Sequence, residues 1–302
     1  MRIFMTGGTG FVGTYLSGYL AGQGHTVTIL TSAFEKAPSP RPGIVYVPGN
    51  PTVKGGWQEQ VKAHDVIINL AGASIFHRWT KAYKEILRQS RIQTTRNLVE
   101  ALDGPSGKET TFLSASAVGY YGFTGDEELA EDAPAGTDFL ARLAYDWEQE
   151  ALCARDKGAR VVITRFGIVL GKAGGALGQM IPLFRLGLGG PLGSGRQWFS
   201  WVHLHDLARA YGFLLDRGSF SGAVNLCVPQ PVRNRDLARA IGKVLKRPAV
   251  MPAPGFMIRL ILGEFGGVLL KGQRVIPRAL QGHGFGFCYP AIHEALRDIA
   301  GP

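Results

Sequence analysis

Cysteine is scarce in this chain of 302 residues: only Cys153, Cys227 and Cys288 occur, far apart and odd in number. That excludes a disulfide-stapled scaffold. No two of them have zinc-ligand spacing, so the pattern suits a reducing compartment and no metal site. Also missing is any run of about 18 uncharged apolar residues, so no segment reads as a membrane span. Met1-Arg2 leads directly into a strand-like stretch, and we expect no secretory leader and a cytoplasmic address. Carboxylates are outnumbered, with 23 Asp and Glu against 33 Lys and Arg, for a formal charge of +10. The basic residues are scattered, and no basic cluster of about five to eight residues appears. Neither nucleic acid nor a membrane is therefore an expected partner. A small phosphate-bearing ligand explains the sign equally well. Internal repeats and long low-complexity tracts are absent too.

What remains is the mix of a globular, water-soluble chain, with 45% hydrophobic and 19% charged residues. Strand-like runs at Arg2–Thr6, Thr26–Thr31, Ile44–Val47, Asp65–Leu70, Thr110–Ser116 and Arg160–Phe166 alternate with helical patterns. The clearest helical patterns are Lys81–Leu102 and Phe139–Arg155. Such alternation predicts an α/β fold, a doubly wound, Rossmann-like parallel sheet with helices on both faces. The spacer "SAFEKAPSPRPG" carries three prolines and reads as loop. We place a first domain at residues 1–166, completed by a strand and helix from about 197–228. Residues 167–302 form a smaller C-terminal α/β substrate lobe over the carboxyl ends of the strands, where ligands bind in such sheets. Within it, Gly187–Gly195 reads as a mobile or tightly turned loop. The stretch "FMIRLILGEFGGVLLKGQRVIPRAL" reads as amphipathic, because Arg259, Glu264, Lys271 and Arg274 interrupt it.

The string "TGGTGFVG" follows the first strand and opens a helix. Gly7 permits a tight turn, Gly10 lets backbone approach a pyrophosphate, and Gly13 lets helix and strand pack closely. The new helix then offers unpaired N–H groups and its positive dipole end to the phosphates. Thr9, Phe11 and Val12 belong to the same candidate cradle.

This G-x-x-G-x-x-G string resembles that of the extended short-chain dehydrogenase/reductases, in their epimerase/dehydratase-like branch. "NLAG" at Asn69–Gly72, "FLSASAVGYYG" and "WFSWVHLHDLARA" are similar to that family's segments at matching places. "RWTKAYKEILRQSRIQTTRNLVEAL", "FRLGLGGPLGSGRQWFSWVHLHDL" and "LLKGQRVIPRAL" resemble its poorly characterised subfamily of sugar-nucleotide-epimerase-like proteins, over essentially the whole chain. The resemblance implies a nicotinamide dinucleotide, with Leu70, Ala71, Gly72 and Ala73 beside its adenine and ribose. An NAD site of this type ends the second strand with Asp or Glu. Here Thr31-Ser32 stands there, and two hydroxyls can donate to a 2′-phosphate that a carboxylate would repel. Lys36 or Arg41 could add charge, and NADP(H) is favoured over NAD(H). The subfamily commonly has Arg where this chain has Ser32, which weakens that preference.

The broader family works with Tyr-x-x-x-Lys, and none of the nine tyrosines here has a lysine four positions later. Leu140 falls near the tyrosine place and Ala144 near the lysine place, while Tyr145 lies one position out of register. Bringing a tyrosine from pKa about 10 to about 7 takes roughly 4 kcal/mol, which another cation must supply. Ser116, with Ser114 as the alternative, lies near the family's Ser/Thr position. Tyr120 or Tyr121 could present a substitute phenol from the loop. Arg165 could be a substrate anion clamp or an ion-pair partner. His203 is a candidate on the substrate side that orients its segment, with Asp206 capping the next helix. His203 and His205 share one face if that segment is a strand, and no third ligand completes a metal site. Asp126, Glu127, Glu128, Glu131 and Asp132 read as a solvated acidic loop. Two functions compete: an NADP(H)-dependent, epimerase-like oxidoreductase acting on a small, nucleotide-sugar-like substrate, and a sensor that binds the nucleotide without turning it over. A binder of nucleic acid or membrane surface through net charge is the weakest reading, and its binding would be salt-steep.

Overall fold

Valine, isoleucine and threonine crowd the strand-like runs, and β-branched side chains fit a pleated surface better than a helix. In the computed structural model, which describes every residue except 38, 40, 105–109, 173 and 302, these runs form one parallel sheet. Its strands are β1 (Arg2–Thr6), β2 (Thr26–Thr31), β3 (Ile44–Pro48), β4 (Val66–Asn69) and β5 (Thr111–Ala117), with Arg160–Phe166 and Gly222–Leu226. Across the sheet the order is Gly222–Leu226, Arg160–Phe166, β5, β4, β1, β2, β3. Every pairing is parallel. The chain therefore starts in the middle and winds outward twice, with a switch point between β1 and β4.

Both faces are covered, as parallel sheets require. Ile3, Met5, Val27, Ile29 and Leu113 point to one face, against Leu16 and Leu20 of α1 (Phe11–Gly22) and Leu207, Tyr211 and Leu214 of Leu204–Asp216. Their alternating neighbours Phe4, Leu30, Ile67 and Phe112 point to the other, against α2 (Trp57–Val61), α3 (Lys81–Glu100) and α4 (Phe139–Leu152). Each fully buried side chain of this size contributes roughly 1.5–3 kcal/mol. The helix expected over Lys81–Leu102 closes at Glu100, and the one expected over Phe139–Arg155 tightens into a 3₁₀ turn at Cys153–Lys157. In the proline-bearing spacer, Phe34–Lys36 makes a short 3₁₀ turn, while residues 38 and 40 lie outside the described residues.

After Gly167 the chain builds a second cluster. Leu177 and Phe184 of α5 (Gly175–Arg185) pack with Trp201, Leu237, Ile241 and Leu296. The Gly187–Gly195 segment is tightly turned, pairing Leu192 with Ala253. The amphipathic terminal stretch divides at Gly263, where φ is +62°, into helices Gly255–Leu262 and Glu264–Leu269. α6 (Leu204–Asp216) joins this part to the first through its packing on α1. Among the described residues no helix is long and apolar enough to cross a membrane, and no cluster of possible metal ligands occurs.

Candidate functional site

The carboxyl ends of β1 and β4 frame the glycine loop. Gly7 sits at φ +71°, a conformation only glycine adopts freely, and lies against the next turn: a Cβ there would come within 2.6 Å of Leu70 carbonyl carbon. A Cβ on Gly13 would lie 2.2 Å from Gly7 O, so helix and loop close up only without one. Gly10 is the N-cap of α1 and supplies no side chain to the helix end, which leaves the first-turn N–H donors facing outward. Phe11 turns away to pack on Gly174 and Gly175, and Val12 packs on the core. This cradle fits a pyrophosphate by shape and by donor set. An open groove of about 620 Å³ passes beside it, lined by Thr9, Gly10, Phe11, Thr14 and the cations Arg41 and Lys172.

A buried hydrogen-bond chain fixes the loop and the turn relative to one another. Thr6 donates to Asn69 Oδ1 at 2.8 Å, and Asn69 Nδ2 donates to Thr95 at 2.8 Å. Trp147 Nε1 donates to the same Thr95 hydroxyl at 2.9 Å. Thr6 precedes Gly7 and Asn69 precedes Leu70, so both candidate cofactor segments hang from one polar knot. Ala73 is held next to it, its N–H donating to Ser90 Oγ at 3.0 Å. At the end of β2, Thr31 is buried and its hydroxyl accepts from Ala33 N–H at 3.2 Å, while Ser32 is exposed. Ser32 is thus the freer of the two hydroxyls.

The residues proposed for catalysis meet in a second cluster, and it is closed. Ser116 is 2% exposed and donates to Glu148 Oε1 at 2.6 Å. Arg165 grips the same carboxylate with Nε at 2.8 Å and Nη2 at 2.7 Å, and donates through Nη1 to Tyr121 Oη at 2.9 Å and to Glu131 O at 3.2 Å. Burial opposes its charge, but the Glu148 carboxylate outweighs that and keeps the guanidinium firmly protonated. Of the two readings for Arg165 the geometry is that of the ion pair, since an incoming anion would have to displace Glu148. Tyr121 is not the loop phenol expected from the sequence. The turn Val118–Tyr121 folds it inward, its hydroxyl donates to Asn225 Oδ1 at 2.7 Å, and burial pushes its pKa up, against the pull of Arg165. Tyr120 stays half-buried, with the Arg165 guanidinium 3.5 Å from its ring centroid and Tyr145 stacked at 6.5 Å. Ser114 is fully buried, accepting from Asn69 at 3.4 Å.

His203 is buried at the end of a short strand, Trp201–His203, and His205 lies beyond it in α6. The expectation that Asp206 caps this helix is corrected. His203 is the cap, its Nδ1 accepting from His205 N–H at 3.1 Å, because its extended backbone turns the ring over the helix end. Asp206 instead accepts from the backbone N–H groups of Cys288 and Tyr289 at 2.7 and 2.8 Å, anchoring the C-terminal segment. Burial lowers the His203 pKa, partly offset by Asp298. Glu131 is likewise no solvated loop acid, since it accepts from Asn225 N–H and Ala279 N–H at 3.0 and 3.2 Å.

Sequence reasoning missed Glu148, Asn225 and Arg91. For Glu148 a signal existed: it falls in the buried stripe Ala141, Ala144, Ala151 of α4, where a carboxylate needs a partner. Asn225 had none, since its partner Tyr121 is 104 residues away.

Fold and site together define a Rossmann-like α/β protein whose first helix opens on a glycine cradle. The chain belongs to the NAD-dependent epimerase/dehydratase family, whose model matches residues 3–227, and residues 253–299 match a domain of unknown function, DUF1731. It is 39% identical over 306 residues to the epimerase family protein SDR39U1 homolog, chloroplastic, of Arabidopsis thaliana, covering 99% of this chain and 86% of that protein. The epimerase family protein YfhF of Bacillus subtilis is 38% identical over 301 residues, covering 99% and 98%. A crystal structure of human SDR39U1 with NADPH superposes with a TM-score of 0.87 at 34% identity, covering 99% of each chain.

Proposed function

We propose that this protein binds NADP(H) in preference to NAD(H) and acts in the cytoplasm as an epimerase-like oxidoreductase on a small anionic substrate of nucleotide-sugar type. It needs no nucleic-acid, membrane or metal partner for that role. The observation that carries this reading is the glycine cradle at an uncapped helix end beside a β2 terminus without a carboxylate. Ser32 is exposed there, and Arg41 opens onto the same groove as Thr9, which suits a 2′-phosphate. The human relative's NADPH complex supports the same choice. When bound, the nicotinamide supplies hydride exchange. The chain's own residues hold the dinucleotide through Gly7–Gly13 and Leu70–Ala73, and Tyr120 is the phenol left to exchange a proton with substrate. Ser116 is held against Glu148, ready to hydrogen-bond a reacting oxygen only if that contact opens.

Parallel titrations with NADPH and NADH, followed by nicotinamide fluorescence after stripping copurified nucleotide, test the reading. At least tenfold tighter NADPH binding is expected, and binding of neither nucleotide overturns it. A second reading, a nucleotide sensor without turnover, is favoured by the closed Ser116–Glu148–Arg165–Tyr121 cluster. NADPH that stays reduced across a broad panel of carbonyls and sugar nucleotides, with a nucleotide-dependent change in assembly, would select it.

A further inference from the structure

The helix Gly255–Leu262 wears its apolar side chains outward. Phe256 and Leu260 are 73% and 76% exposed, Met257 and Ile261 lie open beside them, and Ile258 is the one buried residue of the helix. Spacing of i, i+1, i+4 and i+5 puts the four exposed side chains on one face, an arc of about 140°. Pro254 starts the helix, and Gly263 at φ +62° ends it. Its backbone rests on the following helix, Glu264–Leu269, where a Cβ on Gly266 would lie 2.4 Å from Ile258 O. The helix is thus a fixed apolar ridge, not a groove.

The apolar surface continues beyond the helix. Val250 and Met251 are exposed just before it, and so are Leu183, Leu186 and Leu188 around the end of α5. The two stretches run side by side. Ala253 N–H donates to Pro191 O at 3.0 Å, and Gly193 N–H donates to Ala253 O at 2.8 Å. A monomer ordinarily leaves such side chains scattered singly, and a group of this size marks a docking surface.

Its charge says what docks there. Residues 171–205 contain Lys172, Arg185 and Arg196 and no acid, and residues 237–263 contain five cations and no acid. Arg185, Lys246, Arg247 and Arg259 adjoin the apolar residues in the chain, are exposed, and form no ion pair among the described residues. A second copy would bring the same cations against these, and like charges across an interface oppose docking. A bilayer rich in anionic lipid offers acyl chains to the ridge and phosphates to the cations. Composition gave no such sign, because the cations are scattered along the sequence.

We propose that this face docks the protein on an anionic lipid bilayer, with the helix Gly255–Leu262 lying in the plane of the interface and Arg185, Lys246, Arg247 and Arg259 against the headgroup phosphates. At eight residues the helix lies on the membrane and does not cross it. The inference concerns where the protein sits, and it stands apart from the activity proposed above, which needs no membrane.

The test spins the full-length protein with vesicles of phosphatidylcholine alone, and with vesicles carrying about one-third phosphatidylglycerol. Wild type should sediment with the anionic vesicles and not with the neutral ones, and salt should weaken the binding. The double variant Phe256→Ser with Leu260→Gln should bind anionic vesicles about tenfold more weakly with its cations intact. Lys246→Gln with Arg259→Gln should also lose about tenfold, with a shallower salt dependence. Thermal melts of both variants should match wild type, because the replaced side chains are exposed. Binding that the apolar variant leaves unchanged would reduce the contact to net charge and overturn the docking face. Wild type left in the supernatant by anionic vesicles also overturns the proposal and gives the face to a protein. That protein is a second copy if Phe256→Ser with Leu260→Gln converts a dimer to a monomer in sedimentation velocity, and an acidic partner otherwise.

Discussion

Arg165 is a buried guanidinium and Arg91 a half-buried one, and they stand in opposite electrical states. Arg165 lies with Glu148 in a pair whose side chains are 5% exposed each, cross-linked to Ser116 and Tyr121. Arg91 has carbonyls and an aromatic ring but, among the described residues, no carboxylate. The first region is neutral and shut. The second, beside the glycine cradle, keeps its cation and its helix-end donors uncommitted. The difference teaches that charge is compensated inside the closed cluster, while the cradle side keeps polar groups turned outward.

The sharpest way to break that comparison is to open the closed side. Glu148→Ala leaves Arg165 buried and alone, which should cost about 3–5 kcal/mol in urea unfolding. The double variant Glu148→Leu with Arg165→Met should return most of that stability. A single-variant cost below about 1 kcal/mol would show that the pair is not a closed unit. On the open side, Gly13→Ala drives a methyl against Gly7 O and should cost about 1–3 kcal/mol, with NADPH affinity lost in the same titration. Retained affinity would remove the cradle from the site.

Tyr121→Phe and Tyr120→Phe sharpen the contrast within one dipeptide. Removing the Tyr121 hydroxyl strands Asn225 Oδ1 and an Arg165 N–H, for a loss of about 1–3 kcal/mol in thermal or urea unfolding. Tyr120→Phe should leave stability within about 0.5 kcal/mol and lower turnover on any substrate found. The reverse pattern would exchange their roles. The smallest effect concerns His203, outside both regions. Its folded pKa lies below its ordinary value, so the unfolded chain takes up a proton first as pH falls below about 6.5. Its contribution to stability is therefore present above that pH and lost on acidification. His203→Asn, which keeps a capping side chain, should melt with a flatter pH dependence between pH 7.5 and 5.5 than wild type, within the usual His range.

Much of the fold was legible because it rests on local patterns. The strand runs were found to within a residue or two, since β-branched clusters and glycine turns act over a few positions. The cradle was legible for the same reason: Gly7, Gly10 and Gly13 sit within one turn and its helix. The clamp on the C-terminal segment was not, because Asp206 reaches partners 82 and 83 residues further on. Nor was the direction of Tyr121, which depended on where the turn after β5 folded.

By itself the sequence determined a parallel, doubly wound sheet, a glycine-cradled helix end, the absence of a tyrosine–lysine pair, and a β2 terminus without a carboxylate. Each follows from residue type and short-range spacing. Only the tertiary structure decided that Ser116, Glu148, Arg165 and Tyr121 neutralise one another and that Arg91 has no carboxylate partner among the described residues. Parallel pairing sets Ser116 beside Arg165, and helix packing brings Glu148 to both and Arg91 under Gly72. Charge compensation is settled by proximity in space, which no periodicity along the chain encodes.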